Sequence, residues 1–335
     1  MKKILFAIGV VTIIVLGIYA VSNIAQKSKN DSQKITIVAT LFPLYDFVKN
    51  VGQDKVEVLL LLPPGIEAHS FEPKPSDIVR INEADLLVYT GKFMEPWAED
   101  IIKGITGDKV KVVDASTGIE LMKEGEDREH EHKEDGHEHE EITQQKEAEH
   151  GHEHHRPSGV DPHIWLDFDN AKIMVDNIAK AMAEKDAANA DYYQKNATEY
   201  KNQLTKLDNE YETALFECKT KKIIYGGHYA FGYLAHRYGL EHIAAQGFSP
   251  DAEPTAPDLI NLVEQIKKDN IGYVFYEELT SPKIAEIIAV ETKTKMLLLN
   301  AAHNLAKEDF ENNVSFLSIM ENNLKNLSIG LQCNN

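Results

Sequence analysis

From residue 34 onward, short apolar runs rich in β-branched residues alternate with longer segments whose apolar residues have helical spacing. Strands are predicted at residues 35–39, 56–62, 84–89, 110–113, 222–225, 271–276 and 295–299. Helices are predicted through 44–48, after an N-cap at Ser76, over 171–185 and 189–217, from about 228, from 282, and over about 310–332. Strands that alternate with helices indicate βαβ units and parallel sheets. The pattern therefore predicts an α/β fold.

The predicted helix at 189–217 is unusually long. Its apolar and aromatic residues recur every three or four positions from Tyr193 to Leu215, which indicates one buried face. At 1.5 Å per residue it would span about 43 Å, and α/β patterns lie on both sides of it. We therefore expect two lobes, each a parallel sheet flanked by helices: an N-terminal lobe at 35–185, a linking helix at 186–218 and a C-terminal lobe at 219–335.

The N-terminus has the pattern of a targeting segment. Lys2 and Lys3 precede an apolar run at residues 4–21, after which the chain becomes polar. This order is typical of a signal peptide, although the run is also just long enough for an uncleaved membrane anchor. No cysteine lies near its end, which argues against a lipid-modified cysteine. Residues 1–22 are thus a predicted signal peptide or anchor, and 23–34 a polar spacer. The remainder is expected outside the cytoplasm, in a periplasm or at the outer face of the cytoplasmic membrane.

Composition narrows the set of partners. Lys and Arg number 35 against 54 Asp and Glu, for a formal net charge of -19. Nucleic acids and anionic membranes are therefore poor partners, whereas cations are good ones. The two cysteines exclude a disulfide-rich scaffold and a thiolate zinc cluster. Cys218 and Cys333 either form one disulfide or remain free thiols.

A low-complexity segment at 123–156 interrupts the N-terminal α/β pattern. Its acidic residues alternate with eight of the 14 histidines, namely His130, His132, His137, His139, His150, His152, His154 and His155. Such a composition cannot bury a core and predicts disorder. The His-x-His pairs are spaced to share a metal ion, so we expect weak accessory zinc sites there. The alternative is a solvated tract with incidental affinity.

Three of the other histidines follow predicted strands. His69, His228 and His303 come after the strands that end at 62, 225 and 299, and His163 lies in a loop that returns to the first lobe. Ligands of open α/β sheets bind at the carboxyl ends of strands. We therefore predict a metal site in the cleft between the lobes, with four histidines or with three histidines and an oxygen ligand.

Neighbouring residues leave alternatives at this site. Glu278 is the alternative oxygen ligand. Asp167 either caps a helix or orients a ligating imidazole. His236 and His242 are interpreted as structural histidines and are not assigned to the site.

Four segments resemble the metal-binding solute-binding proteins of bacterial ABC importers. They are PPGIEAHSFEPKPS at 63–76, DPHIWLD at 161–167, GHYAFGY at 227–233 and EPT at 253–255. The resemblance covers residues 34–332 and implies two lobes, a rigid linking helix and one transition-metal ion between the lobes. It implies ligands at His69, His163 and His228. The family's fourth ligand, often a carboxylate, falls at His303 here, so His303, Glu278 or water fills that position.

The ligand types favour zinc as the cargo. Imidazole suits Zn²⁺, whereas Mn²⁺ prefers carboxylate and water, and manganese-type members of the family carry a carboxylate where this chain has His228. Zinc-type members also carry a His-rich loop. The resemblance thus implies a monomeric, non-enzymatic zinc-binding protein that serves a membrane permease.

Three other functions stay open at this point. One is binding of manganese or another divalent metal, and another is a surface adhesin with the same fold. The third is a secreted zinc hydrolase, although the sequence lacks a His-Glu-x-x-His motif and shows no motif for a serine or cysteine nucleophile.

Overall fold

The computed structural model describes residues 34–105, 107–123, 159–248 and 253–334. These residues form two four-stranded parallel sheets flanked by helices, which confirms the predicted α/β class. The first sheet contains β1 (Ile35–Ala39), β2 (Val56–Leu60), β3 (Leu86–Tyr89) and β4 (Lys111–Asp114). The second sheet contains β5 (Lys222–Tyr225), β6 (Glu241–Ala244), β7 (Tyr273–Tyr276) and β8 (Lys295–Leu298).

Ten α-helices occur in this described part of the chain. They are α1 (Phe42–Gly52), α2 (Pro75–Glu83), α3 (Ala98–Gly104), α4 (Phe168–Lys185), α5 (Ala190–Phe216), α6 (Gly232–Arg237), α7 (Ala256–Asp269), α8 (Lys283–Thr292), α9 (Lys307–Glu311) and α10 (Phe316–Gly330). None of the described helices is long and apolar enough to cross a membrane. The predicted targeting segment at 1–22 and nearly all of the low-complexity segment lie outside the described residues.

Both sheets have the same strand order. The first runs β2-β1-β3-β4 and the second β6-β5-β7-β8, so in each the first strand of the lobe is central. The later strands are added on both sides of that strand. The loops that follow neighbouring strands therefore diverge, which leaves a crevice at the carboxyl ends of the strands. Ile37 of β1, for example, pairs with Val58 on one side and Leu86 on the other. The topology thus places the loops after the strands where a ligand would bind.

Helix α5 connects the lobes. It contains 27 residues, which corresponds to about 40 Å, and its predicted apolar face from Tyr193 to Leu215 is buried. Its Asn196 side chain donates to the carbonyl of Val51 in the first lobe (2.9 Å). Farther along, the Tyr211 hydroxyl donates to the carbonyl of Met320 in the second lobe (2.6 Å). One continuous helix therefore packs against both lobes.

The beginning of α2 differs from the prediction. Ser76 is not its N-cap, because the helix already begins at Pro75 and the cap is Lys74. Proline is favoured in the first turn, where its missing N–H would have no partner in the helix. The Asp77 carboxylate accepts the backbone N–H of Lys74 (2.9 Å) and fixes this earlier start.

Two predicted helices in the second lobe also differ. His228 lies in a loop, and α6 begins only at Gly232. The predicted terminal helix is divided into α9 and α10, because Asn313 between them has φ +55°. The Ser315 hydroxyl then accepts the backbone N–H of Ser318 (3.1 Å) and starts α10 as a new helix.

In the structure the two cysteines form a disulfide. Cys218, just after α5, is bonded to Cys333, just after α10. Their backbones also form an isolated antiparallel bridge. The disulfide therefore joins the end of the linking helix to the C-terminal end of the chain.

Candidate metal site

Four histidines from separate loops meet in one place. His69 follows β2, His228 follows β5 and His303 follows β8, while His163 precedes α4. Each offers a ring nitrogen, and these four atoms lie within 4.8 Å of one another. The loops that carry His69 and His163 belong to the first lobe, and the loops that carry His228 and His303 belong to the second. The structure thus brings together the four histidines that the sequence placed in the cleft.

The spacing of the ring nitrogens matches a metal coordination shell. The Nε2 atom of His163 is 3.3 Å from Nε2 of His69 and 3.3 Å from Nε2 of His228. A tetrahedral zinc ion with nitrogen ligands at about 2.0–2.1 Å separates adjacent nitrogens by about 3.3–3.4 Å. Two edges of the cluster therefore already have the length that a tetrahedral zinc ion requires.

Three of the four imidazoles, those of His69, His163 and His303, are neutral at neutral pH. Burial, together with the nearby imidazole of His228, lowers the pKa of His69 to about 4. Burial and the neighbouring imidazoles also hold the pKa of His163 and of His303 well below 6.5. A neutral imidazole has a free lone pair, which is the state that binds a metal.

Two buried carboxyl groups contact the Nδ1 atoms of two of these rings. Oδ1 of Asp161 is 2.7 Å from Nδ1 of His163. Oε1 of Glu277 is 2.8 Å from Nδ1 of His228. The sequence interpretation missed both residues. Asp161 lies two positions before His163 and Glu277 directly follows β7, but neither position by itself shows that its side chain faces an imidazole.

Asp167 does not orient an imidazole. Its carboxylate accepts the backbone N–H groups of Asp169 (2.7 Å) and Asn170 (3.1 Å), so it caps α4. It also forms an ion pair with Arg237 (3.1 Å). Of its two predicted roles, the structure supports the helix cap, because the carboxylate is engaged by donors at the start of α4.

Glu278 lies outside the group of four imidazoles. Its carboxylate accepts a hydrogen bond from the Asn300 side chain. Burial and the neighbouring carboxylate of Asp309 raise the pKa of Glu278 to about 7. Of the two predicted candidates, His303 and not Glu278 lies with the other three imidazoles.

The remaining histidines are separate from the cluster. His236 is exposed on α6. His242 is buried in β6, where it packs against the rings of Tyr229 and Phe231. Both placements agree with the structural role expected for them. The accessory residues His130, His132, His137, His139, His150, His152, His154 and His155 lie outside the described residues.

Hydrogen bonds between the lobes hold the ligand loops together. The Asn304 side chain donates to the carbonyls of Pro63 (2.7 Å) and Ile66 (2.9 Å), in the loop that leads to His69. The carbonyl of His303 accepts the backbone N–H of Phe42 at the start of α1 (3.2 Å). The loop that carries His303 is therefore bound to the opposite lobe on two sides.

Comparisons with known proteins agree with this geometry. The sequence profile of the family described as zinc-uptake complex component A, periplasmic, matches residues 37–330. The high-affinity zinc uptake system protein ZnuA of Bacillus subtilis is 37% identical over 318 residues, which is 94% of each chain. The zinc-binding lipoprotein AdcA of Streptococcus pneumoniae is 34% identical over 98% of this chain, which spans only 60% of that relative. The crystal structure of the Zn(II)-bound ZnuA-like domain of that AdcA has a TM-score of 0.72 and 32% identity, covering 89% of this chain and 99% of the domain.

Proposed function

The chain belongs to the family of zinc-uptake complex component A, and from this premise we propose that it captures Zn²⁺ outside the cytoplasm and delivers it to the membrane permease of an ABC importer. The cargo ion would be held by His69, His163, His228 and His303. The family and its named relatives are solute-binding proteins for zinc uptake, which supports both the cargo and the permease partner.

The observation that carries this proposal is the 3.3 Å spacing of Nε2 atoms within a buried group of four imidazoles. That spacing equals the edge of a tetrahedral zinc site. Mn²⁺ prefers six oxygen ligands in an octahedral arrangement, whereas nitrogen ligands favour zinc. The donor set therefore supports Zn²⁺ over Mn²⁺.

The same geometry favours binding over catalysis. Catalytic zinc keeps one coordination position for water or substrate, whereas closed sites use four protein ligands. His303 supplies the fourth nitrogen here, so an ion bound by all four histidines would have no position for a substrate. We infer that the protein is not a zinc hydrolase.

Location and assembly follow from the same family. Its description as periplasmic, and the naming of one relative as a lipoprotein, support a location outside the cytoplasm. We propose that residues 1–22 direct the chain there, either as a cleaved signal peptide or as an anchor. We further propose that it acts as a monomer, since all four ligands come from one chain.

Calorimetric zinc titration of His228→Ala tests the site. The variant should lose the tight binding phase, because one coordinate bond is removed and water replaces it. His236→Ala is the matched control, since His236 is exposed and outside the cluster, and it should bind zinc like the parent. Tight binding that survives His228→Ala would overturn the assignment. In a strain that lacks the chain, growth under zinc limitation should be restored by the parent and by His236→Ala but not by His228→Ala.

A further inference from the structure

We propose that Asp161 and Glu277 are positioning residues that orient the imidazoles of two zinc ligands. One carboxyl group serves His163 and the other serves His228. The inference rests on the proposed zinc site and deepens it, because it identifies the side chains that hold two of the ligands in place.

Asp161 holds His163 by two contacts. Its Oδ1 atom accepts the backbone N–H of His163 (3.0 Å) and lies 2.7 Å from the ring Nδ1. These two contacts hold the ring so that Nε2 faces His69 and His228.

Glu277 has a similar relationship to His228 in the second lobe. Its Oε1 atom lies 2.8 Å from Nδ1 of His228, and its Oε2 atom accepts the backbone N–H of His228 (3.4 Å). Each lobe thus contributes one ligand whose outer nitrogen contacts a carboxylate. Such carboxylate–histidine pairs set ring orientation and raise ligand basicity at zinc sites.

Both pairs direct Nε2 into the cluster. The Nε2 atoms of His163 and His228 are 3.3 Å apart, which is the edge of a tetrahedral zinc site with nitrogen ligands. The two carboxyl groups therefore hold two ligand atoms at the separation that the ion needs.

Both contacts are buried. Asp161 and Glu277 are 3% and 8% exposed, so bulk water has little access to them.

The backbone of the second lobe lies against both carboxyl groups. A Cβ atom at Gly232 would lie 2.3 Å from Oδ2 of Asp161, and one at Gly227 would lie 2.6 Å from Oε2 of Glu277. Real Cβ atoms do not approach other atoms so closely, so a side chain at either position would require the carboxyl group to shift. The glycines thus let the carboxyl groups reach the imidazoles.

The experiment compares Asp161→Asn and Glu277→Gln with Asp167→Asn in the full chain. All three substitutions replace a carboxyl group by an amide of nearly the same shape, but Asp167 caps α4 and contacts Arg237 instead of an imidazole. Zinc affinity is measured by competition with a chelator, and the melting temperature of the metal-free protein is measured in parallel. Co²⁺ absorption reports the geometry of the occupied site.

We expect Asp161→Asn and Glu277→Gln to weaken zinc binding by about 10–100-fold and to alter the Co²⁺ spectrum, with little change in the metal-free melting temperature. Asp167→Asn should lower that melting temperature and leave zinc affinity unchanged.

Parental zinc affinity in both variants would overturn the whole inference, as would a loss of affinity that only parallels a loss of stability. His228→Ala separates this outcome from a failure of the proposed function. If His228→Ala abolishes tight binding while the two carboxylate variants bind normally, the zinc site stands and only the positioning role is wrong.

Discussion

The indole N–H of Trp165 donates a 2.8 Å hydrogen bond to the carbonyl of Ala301. Trp165 lies two residues after His163, and Ala301 lies two residues before His303. Both residues are buried. This bond therefore couples the ligand loop of the first lobe directly to the last ligand loop of the second.

Replacing Trp165 by Phe should weaken both folding and zinc binding. The ring is retained but the donor is lost, which leaves the buried carbonyl of Ala301 without this partner and costs about 1–3 kcal/mol of the free energy of unfolding. Zinc affinity should fall several-fold, because the loops of His163 and His303 are less firmly held. Tyr211→Phe is the control, since it also removes a buried donor from a backbone carbonyl, that of Met320 in α10, which is not a ligand loop. Equal zinc affinity in both variants would show that the bond does not organise the site.

The Cys218–Cys333 disulfide should stabilise the protein without affecting the metal. The cysteines are 115 residues apart in sequence, and closing a loop of that size is worth about 4–5 kcal/mol in the chain-entropy model. Replacing both cysteines by Ala should lower the free energy of unfolding by about this amount, which is measured as a lower denaturation midpoint. Zinc affinity should be unchanged. Alkylation of unfolded, non-reduced protein should modify no thiol. Two modified cysteines would contradict the bond.

Asp46 should make the metal-free protein less stable as pH rises from about 4 to 6. Burial raises the pKa of this carboxyl in the folded protein from 3.8 to about 6, although the Tyr200 hydroxyl partly opposes the shift. The unfolded chain therefore loses its proton first, and the free energy of unfolding declines with pH by up to about 3 kcal/mol across this window. Asp46→Asn should remove this contribution.

Denaturant titrations at several pH values measure the slope for the parent and for Asp46→Asn. Asp191→Asn, which changes an exposed carboxylate at the start of α5, should keep the parental slope. An Asp46→Asn variant with an unchanged slope would show that Asp46 does not titrate in this range.

Deleting residues 124–155 should remove weak zinc binding and spare the tight site. Lys123 and Val160 form an antiparallel bridge, so the ends of the deleted segment adjoin and the lobe can close without strain. The composition of the segment predicts disorder, and ordering a disordered chain costs about 1–2 kcal/mol per residue, so its His-x-His pairs should bind less tightly than the preformed cluster. Calorimetric zinc titration should show several fewer weakly bound zinc ions per molecule in the deletion variant than in the parent.

A variant with asparagine at all eight histidines of the segment separates imidazole binding from the effect of chain length and should behave like the deletion. Unchanged zinc stoichiometry in both variants would contradict the accessory sites.

The strands and the ligand histidines were predictable because both depend on local sequence. Strands buried on both faces, such as β1 and β3, are continuous apolar runs, and the residues that follow them lie at the carboxyl edge. His69, His228 and His303 could therefore be assigned to one edge of each sheet before any coordinates were known.

Other features depend on contacts between distant segments. Strand β6 has only four residues and includes His242 and Glu241, so no apolar run indicates it. The apolar residues after His228 were interpreted as helical, but several of them pack behind the ligand loop before α6 begins. The roles of Asp161 and Glu277 depend on where the second lobe places Gly232 and Gly227, which no local pattern shows.

The continuous helix α5 limits how the protein can release its cargo. A stiff rod that is fastened to Val51 at one point and to Met320 at another resists bending, so the two sheets cannot swing widely apart like a hinged clamp. Release would instead proceed by displacement of individual loops, one coordinate bond at a time. We therefore expect a permease to extract zinc by displacing the segments around Ile66 and Asn304, while the two sheets and helix α5 hardly move.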